Sequence, residues 1–302
     1  MGETSGIQAA DIGTIGMVGL GSMGGAIAKR LLAAGLTPHI WGRSPERLSA
    51  FVDAGCVQQA TLKALAQECD VILVCVSDTD AVESVLFDPE GIASADHPGL
   101  LVVDHSTIHP LRTAQFAERL GARGIRLLDV PVTGGVVAAE AGTLVLMAGG
   151  EQSDIESLSG LFDCYAQRVT RMGAPGAGQA TKIANQMIIG ANVAVVAEAL
   201  NYASNFGVNA ALLPDALAGG WADSAVLQNH ARRMAAADYD GDVNARIMAK
   251  DIDIACDMGR ETGSPLPVTA QVQQMYRRLI AEGDADRGQI GLMWLYSHNP
   301  LG

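Results

Sequence analysis

Short apolar runs alternate with helical patterns through the first half of the chain. The runs predict buried strands at residues 15–20, 39–41, 71–76, 100–104, 125–132 and 143–148. The intervening patterns predict helices at 26–34, 45–54, 62–68, 80–86, 111–120 and 155–165. Continuous apolar strands that are separated by helices predict a parallel sheet with both faces covered.

The pattern changes at residues 168–178, and almost no strand pattern follows residue 180. Helices are predicted at 179–206, 210–218, 225–237, 245–262, 268–282 and 289–296. The first of these is apolar on nearly every face, which is typical of a buried helix. We therefore predict an α/β fold, with a mostly parallel sheet domain at 14–174 and an all-α domain at 175–302, after a flexible tail at 1–13.

Composition excludes some classes of partner. The chain has 302 residues and a net charge of −13, which disfavours nucleic acid and anionic membranes. Its longest apolar stretch, Met187–Leu200, is interrupted by Asn192 and Glu198 and is too short for a membrane span. The first 13 residues lack the apolar region of a signal peptide. Five cysteines without a C-x-x-C pair are typical of reduced thiols, so we expect a cytoplasmic protein.

A glycine-rich turn joins the first predicted strand to the first predicted helix. Gly19, Gly21 and Gly24 form G-x-G-x-x-G, in which the glycines permit a tight turn, close approach of a pyrophosphate and close packing of helix on strand. The helix N-terminus adds free N–H groups for the phosphates. A plain tight turn is the alternative. The expected dinucleotide-binding residues here are Gly19, Leu20, Gly21, Ser22, Met23 and Gly24.

The end of the second strand bears on the choice between NAD and NADP. NAD-binding units place an acid about 20 residues beyond the glycines to hold the ribose 2′-hydroxyl. Here Arg43 and Ser44 stand in that place, with Arg47 nearby, and they could hold a 2′-phosphate. We therefore expect NADP, with NAD still possible. In the alternative interpretation Arg43 is solvated and Glu46 takes the role of the acid.

Polar side chains form a stripe on the long apolar helix. Lys182, Asn185 and Gln186 lie on one helical face. A buried lysine whose pKa is lowered could give a proton to the alkoxide that hydride addition to a carbonyl produces, and the two amides could orient it and bind substrate. Alternatively, Lys182 extends to water near the helix start.

A second glycine turn, made of Thr133, Gly134 and Gly135, closes a predicted strand and precedes a short helical segment. Its N–H groups and hydroxyl could hold a carboxylate. An ordinary turn at a strand end fits the same pattern.

Two further features carry less chemistry. His105 and His109 straddle a strand end before Pro110, so no helix presents both, and no other His or Cys completes a site. We predict no metal. Trp221 lies in a break between predicted helices, where it could be either a pocket wall or a core aromatic residue.

Four motifs together resemble those of the β-hydroxyacid dehydrogenases, relatives of 6-phosphogluconate dehydrogenase. They occur in the order and spacing of that family, at residues 19–24, 129–135, 176–186 and 250–255. The resemblance implies a Rossmann domain followed by an all-helical domain, and the oxidation of a short β-hydroxy acid or the reduction of its semialdehyde. A non-catalytic dinucleotide-binding protein is the rival interpretation.

The resemblance also implies roles for single residues. Lys182 matches the catalytic lysine, and the second glycine turn matches the segment that binds the substrate carboxylate. Ser106 matches a residue on the nicotinamide side of the cofactor, and Lys250 a lysine that reaches cofactor and substrate. Ser77, after the strand at 71–76, is a further candidate for cofactor contact.

The substrate remains open at this point. The pair Asn185–Gln186 resembles the tartronate semialdehyde (2-hydroxy-3-oxopropionate) reductases, whereas the wider family often has asparagine at the position of Gln186. 3-Hydroxyisobutyrate, succinic semialdehyde and glyoxylate are alternatives. Imine reductases share the fold but typically lack the lysine at position 182. We expect a small carboxylate substrate and a homodimer or homotetramer.

Overall fold

The computed structural model describes residues 12–241 and 243–297. The predicted tail at 1–13 therefore lies outside the described residues, except for Ile12 and Gly13. The chain divides into two compact units, Met1–Lys182 and Ile183–Gly302. The predicted α/β class, with a mostly parallel sheet followed by helices, is confirmed.

The first unit is built on one nine-stranded sheet with the order β3-β2-β1-β4-β5-β6-β8-β7, and β9 pairs with β8. The strands are β1 Ile15–Val18, β2 His39–Trp41, β3 Val57–Gln58, β4 Val71–Val74, β5 Leu101–Asp104, β6 Arg126–Asp129, β7 Val132–Thr133, β8 Leu144–Gly149 and β9 Ala166–Gly173. β1 to β6 run parallel, β8 is antiparallel to β6 and β7, and β9 is parallel to β8.

The register places the carboxyl ends of five strands side by side. Val18 pairs with Trp41 and Val74, Val74 pairs with Asp104, and Asp104 pairs with Asp129. Ligands of such sheets bind at this edge.

Helices cover both faces of the sheet. They are α1 Ser22–Ala33, α2 Ser49–Asp53, α3 Leu62–Glu68, α4 Thr79–Phe87, α5 Pro110–Gly121, α6 Gly135–Ala141, α7 Gln152–Ser157 and α8 Ser159–Phe162. Alternate residues of one strand enter different cores: Leu73 belongs to one buried cluster, and Ile72 and Val74 to the other. The predicted coverage of both faces is therefore confirmed.

Several elements of this unit differ from their prediction. The helix predicted at 45–54 is a 3₁₀ helix at Pro45–Arg47 followed by α2, and β3 lies where no strand is predicted. The single strand at 125–132 is interrupted between β6 and β7, where Pro131 has no N–H for the ladder. The helix at 155–165 is two shorter helices, α7 and α8. β9 was predicted as a change of domain rather than a strand, because its mostly exposed residues form no apolar run.

In its described part, the second unit consists of helices and one isolated β-bridge. Its helices are α9 Ala177–Asn205, which begins in the first unit, α10 Leu213–Leu217, α11 Ala225–Ala235, α12 Ala245–Thr262, α13 Pro267–Ala281 and α14 Trp294–Ser297. Short 3₁₀ helices at Ala210–Leu212 and Gln289–Met293 complete it. The predicted change of domain at 174/175 coincides with the start of α9, whereas the compact units divide further along that helix.

α9 differs from its prediction in two respects. By length and composition its 29 residues could cross a membrane, whereas the stretch 187–200 alone was judged too short. The core helix of a globular unit satisfies the same criteria, and Val193, Ala197 and Leu200 are buried in the core of the second unit. The expectation that this helix is buried holds only for part of it, since Ile188 and Tyr202 are exposed.

Candidate active site

The turn between β1 and α1 has no room for side chains at two of its three motif glycines. A Cβ on Gly19, whose φ is +90°, would lie 2.1 Å from the Cys75 carbonyl oxygen. A Cβ on Gly24 would lie 2.0 Å from the Gly19 oxygen. At Gly21 a Cβ would meet no described atom within 4 Å, and this N-cap residue of α1 provides no side chain to occupy the helix N–H groups. The turn thus leaves open space at the N-terminus of α1, and binding of a pyrophosphate there stays a prediction.

Arg43 and Ser44 follow β2, which pairs with β1 through Trp41 and Val18. They therefore lie at the same sheet edge as the glycine turn. Arg43 is exposed, and it forms no ion pair within residues 12–241 and 243–297. Glu46, the alternative ribose ligand, is exposed on the 3₁₀ turn that follows. Binding of a 2′-phosphate by Arg43 stays a prediction.

The two predicted serine contacts have different surroundings. Ser77 is exposed, and its hydroxyl donates to Asp78 Oδ2 at 2.6 Å. Ser106 is buried, and its Oγ accepts a hydrogen bond of 2.9 Å from the Val76 backbone N–H. The Ser106 hydroxyl therefore links the loops that follow β4 and β5. Its contact with the nicotinamide stays a prediction.

His105 is buried at the end of β5 with both ring nitrogens engaged. Nδ1 lies 2.6 Å from the Val130 carbonyl oxygen and Nε2 lies 3.0 Å from the Tyr165 hydroxyl. Because a carbonyl can only accept, Nδ1 carries the proton and Nε2 accepts from Tyr165. Burial lowers the pKa of His105 to about 4, so the ring is neutral near pH 7. These contacts leave neither nitrogen free for a metal.

The second glycine turn forms as β7 ends. Gly134 and Gly135 have φ values of +123° and +72°, which side-chain-bearing residues rarely adopt. A Cβ on Gly134 would lie 2.6 Å from Ala138 Cβ, whereas one on Gly135 would meet no described atom within 4 Å. Thr133 is half-buried beside them. The turn therefore leaves space above Gly135, and its contact with a substrate carboxylate stays a prediction.

The start of α9 is fixed to the end of β6 by Asp129. Its Oδ1 accepts from the Gly176 N–H and its Oδ2 from the Gln179 N–H, both at 2.8 Å. Two neighbouring glycines give this carboxylate room, since a Cβ on Gly149 or Gly178 would lie within 2.9 Å of its oxygens. Burial raises the pKa of Asp129 to about 6, and the two N–H donors oppose that rise.

Gln179 adds a second attachment from the helix to the sheet edge. Its buried side chain accepts from the Ile108 N–H at 3.0 Å and donates to the Ser106 carbonyl at 2.8 Å. Gln179 holds the first turn of α9 on the loop after β5, and Asp129 holds it on the end of β6. This fixes the part of the helix from which Lys182 extends.

Lys182 is buried, with 9% of its surface exposed. This burial disfavours the alternative in which the lysine extends to water. An ammonium taken out of water is costly unless it has partners or a function. Whether it acts as an acid stays a prediction.

In the second unit, the remaining predicted residues are connected through two hydrogen bonds and one ion pair. Asn185 Nδ2 donates to Gln186 Oε1 at 2.9 Å, and Gln186 Nε2 donates to Asp251 Oδ2 at 2.6 Å. Lys250 Nζ forms an ion pair with Asp251 Oδ1 at 3.0 Å. Asp251 is buried on α12, so it joins the amide pair of α9 to Lys250.

Three polar residues that hold this arrangement had no predicted role, namely Asp129, Gln179 and Asp251. Each stands inside a motif that the sequence did single out. The sequence does offer one indication for Asp129, since an acidic residue at the end of an apolar strand needs a polar partner if it is buried. Trp221, by contrast, is fully exposed, so its interpretation as a core aromatic is wrong.

Comparison with known proteins agrees with this arrangement. Residues 14–173 match the NAD-binding domain of 6-phosphogluconate dehydrogenase. Residues 176–296 match a family described as NAD-binding of NADP-dependent 3-hydroxyisobutyrate dehydrogenase. The 2-hydroxy-3-oxopropionate reductase of Escherichia coli K12 is 34% identical over 89% of this chain and 92% of its own length.

Two further proteins extend the comparison. The L-threonate dehydrogenase of Cupriavidus necator is 34% identical over 89% of this chain and 91% of its own. The crystal structure of a 3-hydroxyisobutyrate dehydrogenase from Salmonella typhimurium, 28% identical, covers 93% of this chain and 99% of its own with a TM-score of 0.83. The chain belongs to the β-hydroxyacid dehydrogenases, NAD(P)-dependent oxidoreductases related to 6-phosphogluconate dehydrogenase.

Proposed function

We propose that this enzyme reduces a short semialdehyde of the 2-hydroxy-3-oxopropionate type to its hydroxy acid, or catalyses the reverse oxidation, with Lys182 as the general acid or base. The observation that carries the proposal is the burial of Lys182 on a helix whose first turn is fixed to the sheet edge by Asp129 and Gln179. A non-catalytic dinucleotide-binding protein would not require a buried lysine at this place.

The proposed reaction requires one proton transfer between the protein and the substrate. A nicotinamide dinucleotide, when bound, supplies the hydride. Lys182 Nζ gives a proton to the carbonyl oxygen during reduction and takes it from the hydroxyl during oxidation. Asn185 and Gln186, on the same helical face, orient the lysine and bind the substrate.

The second glycine turn is proposed to hold the substrate carboxylate. Against the net charge of −13, an anion needs local donors, and the N–H groups beside the open space at Gly135 can supply them. The Thr133 hydroxyl is half-buried next to these groups and can donate as well. Ser77, Ser106 and Lys250 complete the proposed contacts with cofactor and substrate.

NADPH is the proposed reductant. The residues after β2 are Gly42, Arg43 and Ser44 rather than an acid, and Arg43 is exposed at the edge that carries the glycine turn. A guanidinium can bind a 2′-phosphate through two parallel hydrogen bonds, whereas a 2′-hydroxyl offers it no charge.

Two observations favour the substrate class. The reductase of E. coli that acts on 2-hydroxy-3-oxopropionate matches nearly the whole chain, and the pair Asn185–Gln186 agrees with that group. The second candidate is 3-hydroxyisobutyrate, favoured by the Salmonella structure and by the family matched at 176–296. Glyoxylate and succinic semialdehyde follow as smaller and longer analogues.

A cytoplasmic location is also proposed. All five cysteines are free thiols. Burial raises the pKa of Cys69 and of Cys75 to about 12, so neither forms a reactive thiolate at neutral pH. We expect no nucleic-acid or membrane partner because the net charge of −13 repels both.

The test is a screen of NADPH oxidation over tartronate semialdehyde, glyoxylate, succinic semialdehyde and methylmalonate semialdehyde, with the hydroxy acids assayed in reverse. We expect the highest kcat/KM for tartronate semialdehyde. A higher value for methylmalonate semialdehyde and 3-hydroxyisobutyrate would select the second candidate. Failure of every semialdehyde to oxidise NADPH would contradict the proposed reaction.

A further inference from the structure

His105 binds the backbone at the point where the chain leaves β6 for β7. Its Nδ1–H donates to the Val130 carbonyl oxygen at 2.6 Å, and both residues are buried, with 2% and 0% of their surface exposed. β6 ends at Asp129 and β7 begins at Val132, so among the described residues no backbone N–H donates to this carbonyl. A buried carbonyl needs a partner, and the imidazole takes the place of one from a neighbouring strand.

The other polar group of the Val130 backbone is held from the same side. Its N–H donates to the Asp104 carbonyl oxygen at 2.8 Å, and Asp104 directly precedes His105. Pro131 follows Val130 and has no N–H that could add a further contact. The second glycine turn begins at Thr133, three residues beyond Val130. Two consecutive residues at the end of β5 therefore fix the corner from which this turn extends.

Tyr165 holds the imidazole in the tautomer that the bond to Val130 requires. Its hydroxyl lies 3.0 Å from Nε2 of His105, which must accept because Nδ1 carries the proton. Tyr165 is fully buried, and burial raises the pKa of its hydroxyl well above the ordinary value, so the hydroxyl stays a donor at neutral pH. The two rings meet edge to face with their centroids 5.6 Å apart, which fixes the orientation of the imidazole.

Arg30 connects this tyrosine to α1, the helix of the first glycine turn. Its Nε donates to the Cys164 carbonyl oxygen at 3.0 Å, and Cys164 directly precedes Tyr165. The same guanidinium lies against the end of α6, since a Cβ on Gly142 would lie 2.8 Å from Arg30 Nη2. α6 begins at the second glycine turn and is thus held at one end through Val130 and at the other by Arg30.

We propose that His105 is a positioning residue for the substrate, because its bond to the Val130 carbonyl sets the place of the second glycine turn. The inference rests on the proposed function, which assigns the substrate carboxylate to that turn. Without the Nδ1–H donor a buried carbonyl loses its partner, and the corner shifts towards another donor or water. A displacement of about 1 Å in a binding segment lowers catalytic efficiency by up to roughly 100-fold.

The first experiment compares two substitutions of His105 that differ in the donor they keep. Asparagine carries an amide nitrogen on Cγ, where the imidazole carries Nδ1, whereas leucine carries no donor. In His105→Leu we expect the KM for tartronate semialdehyde to rise roughly 10–100-fold, with the Kd for NADPH within a few-fold of the wild type. His105→Asn should restore KM to within about 3-fold of the wild type. A wild-type KM in His105→Leu, or an equal rise in both variants, would overturn the proposal.

The second experiment removes the hydroxyl that fixes the tautomer. Tyr165→Phe should raise the KM for tartronate semialdehyde at least roughly 3-fold, because Nε2 of His105 loses its donor. Tyr276→Phe is the matched control, since Tyr276 is also fully buried and its hydroxyl donates to the Gln289 carbonyl at 3.1 Å in the second unit. The control should keep the wild-type KM. The same KM in both variants would contradict the role of Tyr165.

Hydrogen exchange of the free enzyme separates this inference from the proposed function, because it needs no substrate. Deuterium uptake is measured by mass spectrometry in peptides that cover residues 130–142 and, for comparison, 245–262. His105→Leu should raise uptake at 130–142 alone, and His105→Asn should match the wild type. Unchanged uptake at 130–142 in His105→Leu would overturn the positioning role. The expected uptake in an enzyme that reduces no semialdehyde would instead contradict the proposed function, while the hold of His105 on the turn would stand.

Discussion

Asp129 accepts a 2.8 Å hydrogen bond from the Gln179 backbone N–H, one helical turn before Lys182. The contact joins the carboxyl end of β6, at the ligand edge of the sheet, to the helix that carries the proposed acid. The Asp129 carboxylate positions α9, because its oxygens accept hydrogen bonds from N–H groups at the start of that helix and do not depend on a substrate for partners.

Asp129→Ala is expected to lower both stability and turnover. Two charge-assisted hydrogen bonds to helix N–H groups are lost, at a cost of about 2–4 kcal/mol of unfolding free energy. Chemical denaturation and kcat check this. Thr61→Ala, which removes the cap of α3 by losing its bond to the Ala64 N–H, should destabilise the protein without changing kcat. Equal loss of kcat in both variants would contradict the positional role of Asp129.

His105 predicts a pH dependence of stability. Its pKa is about 4 in the folded chain and about 6.5 in the unfolded chain, so between these values the unfolded state binds more protons. Stability due to this residue therefore falls as pH drops from about 6.5 to about 4, by on the order of 3 kcal/mol.

The raised pKa of Asp129 has the opposite effect on stability over nearly the same pH range. The contribution of His105 must therefore be isolated by comparing the wild type with a His105 variant. The unfolding free energy of wild type minus that of His105→Asn should decrease on acidification through this window. Denaturant titrations at a series of pH values measure it. A difference that is independent of pH would show that His105 does not stay neutral in the folded protein.

Arg43 predicts cofactor choice. Arg43→Asp should shift the ratio of kcat/KM for NADPH over NADH towards NADH by roughly 10–100-fold, because a charge-assisted bond to the 2′-phosphate is replaced by repulsion. Arg47→Ala, on the adjacent 3₁₀ turn, is the comparison variant and should have a smaller effect. Preference of the wild type for NADH would contradict the assignment.

The hydrogen bond from Gln186 to Asp251 can be tested by exchanging its donor and acceptor. Gln186→Glu sets two carboxylates against each other within the second unit, so stability and kcat should fall. Gln186→Glu/Asp251→Asn exchanges donor and acceptor and should recover at least half of the lost stability. A double variant with the summed loss of both single variants would show that the bond does not matter.

The sequence predicts those elements whose pattern is dictated by burial. Strands such as β4, with four buried residues, give continuous apolar runs, and the glycine turn stands out because Gly19 and Gly24 have no room for a Cβ. β9 escaped prediction because its side chains are mostly solvated, so nothing in its composition separates it from a loop.

The site residues also divide into those that the sequence pattern makes recognisable and those that it does not. Lys182 was conspicuous as a charge on an apolar helix, and its burial agrees with that expectation. Asp129, Gln179 and Asp251 act through partners that are distant along the chain, 47 to 73 residues away, and local spacing carries no information about such pairs.

The most direct test of the proposed mechanism is the single-turnover rate of Lys182→Ala with saturating NADPH and tartronate semialdehyde, measured together with NADPH affinity. The account predicts a rate lowered by roughly 10²–10⁴-fold, with NADPH binding within a few-fold of the wild type. A variant that retains wild-type turnover would contradict the role of Lys182 as the proton donor.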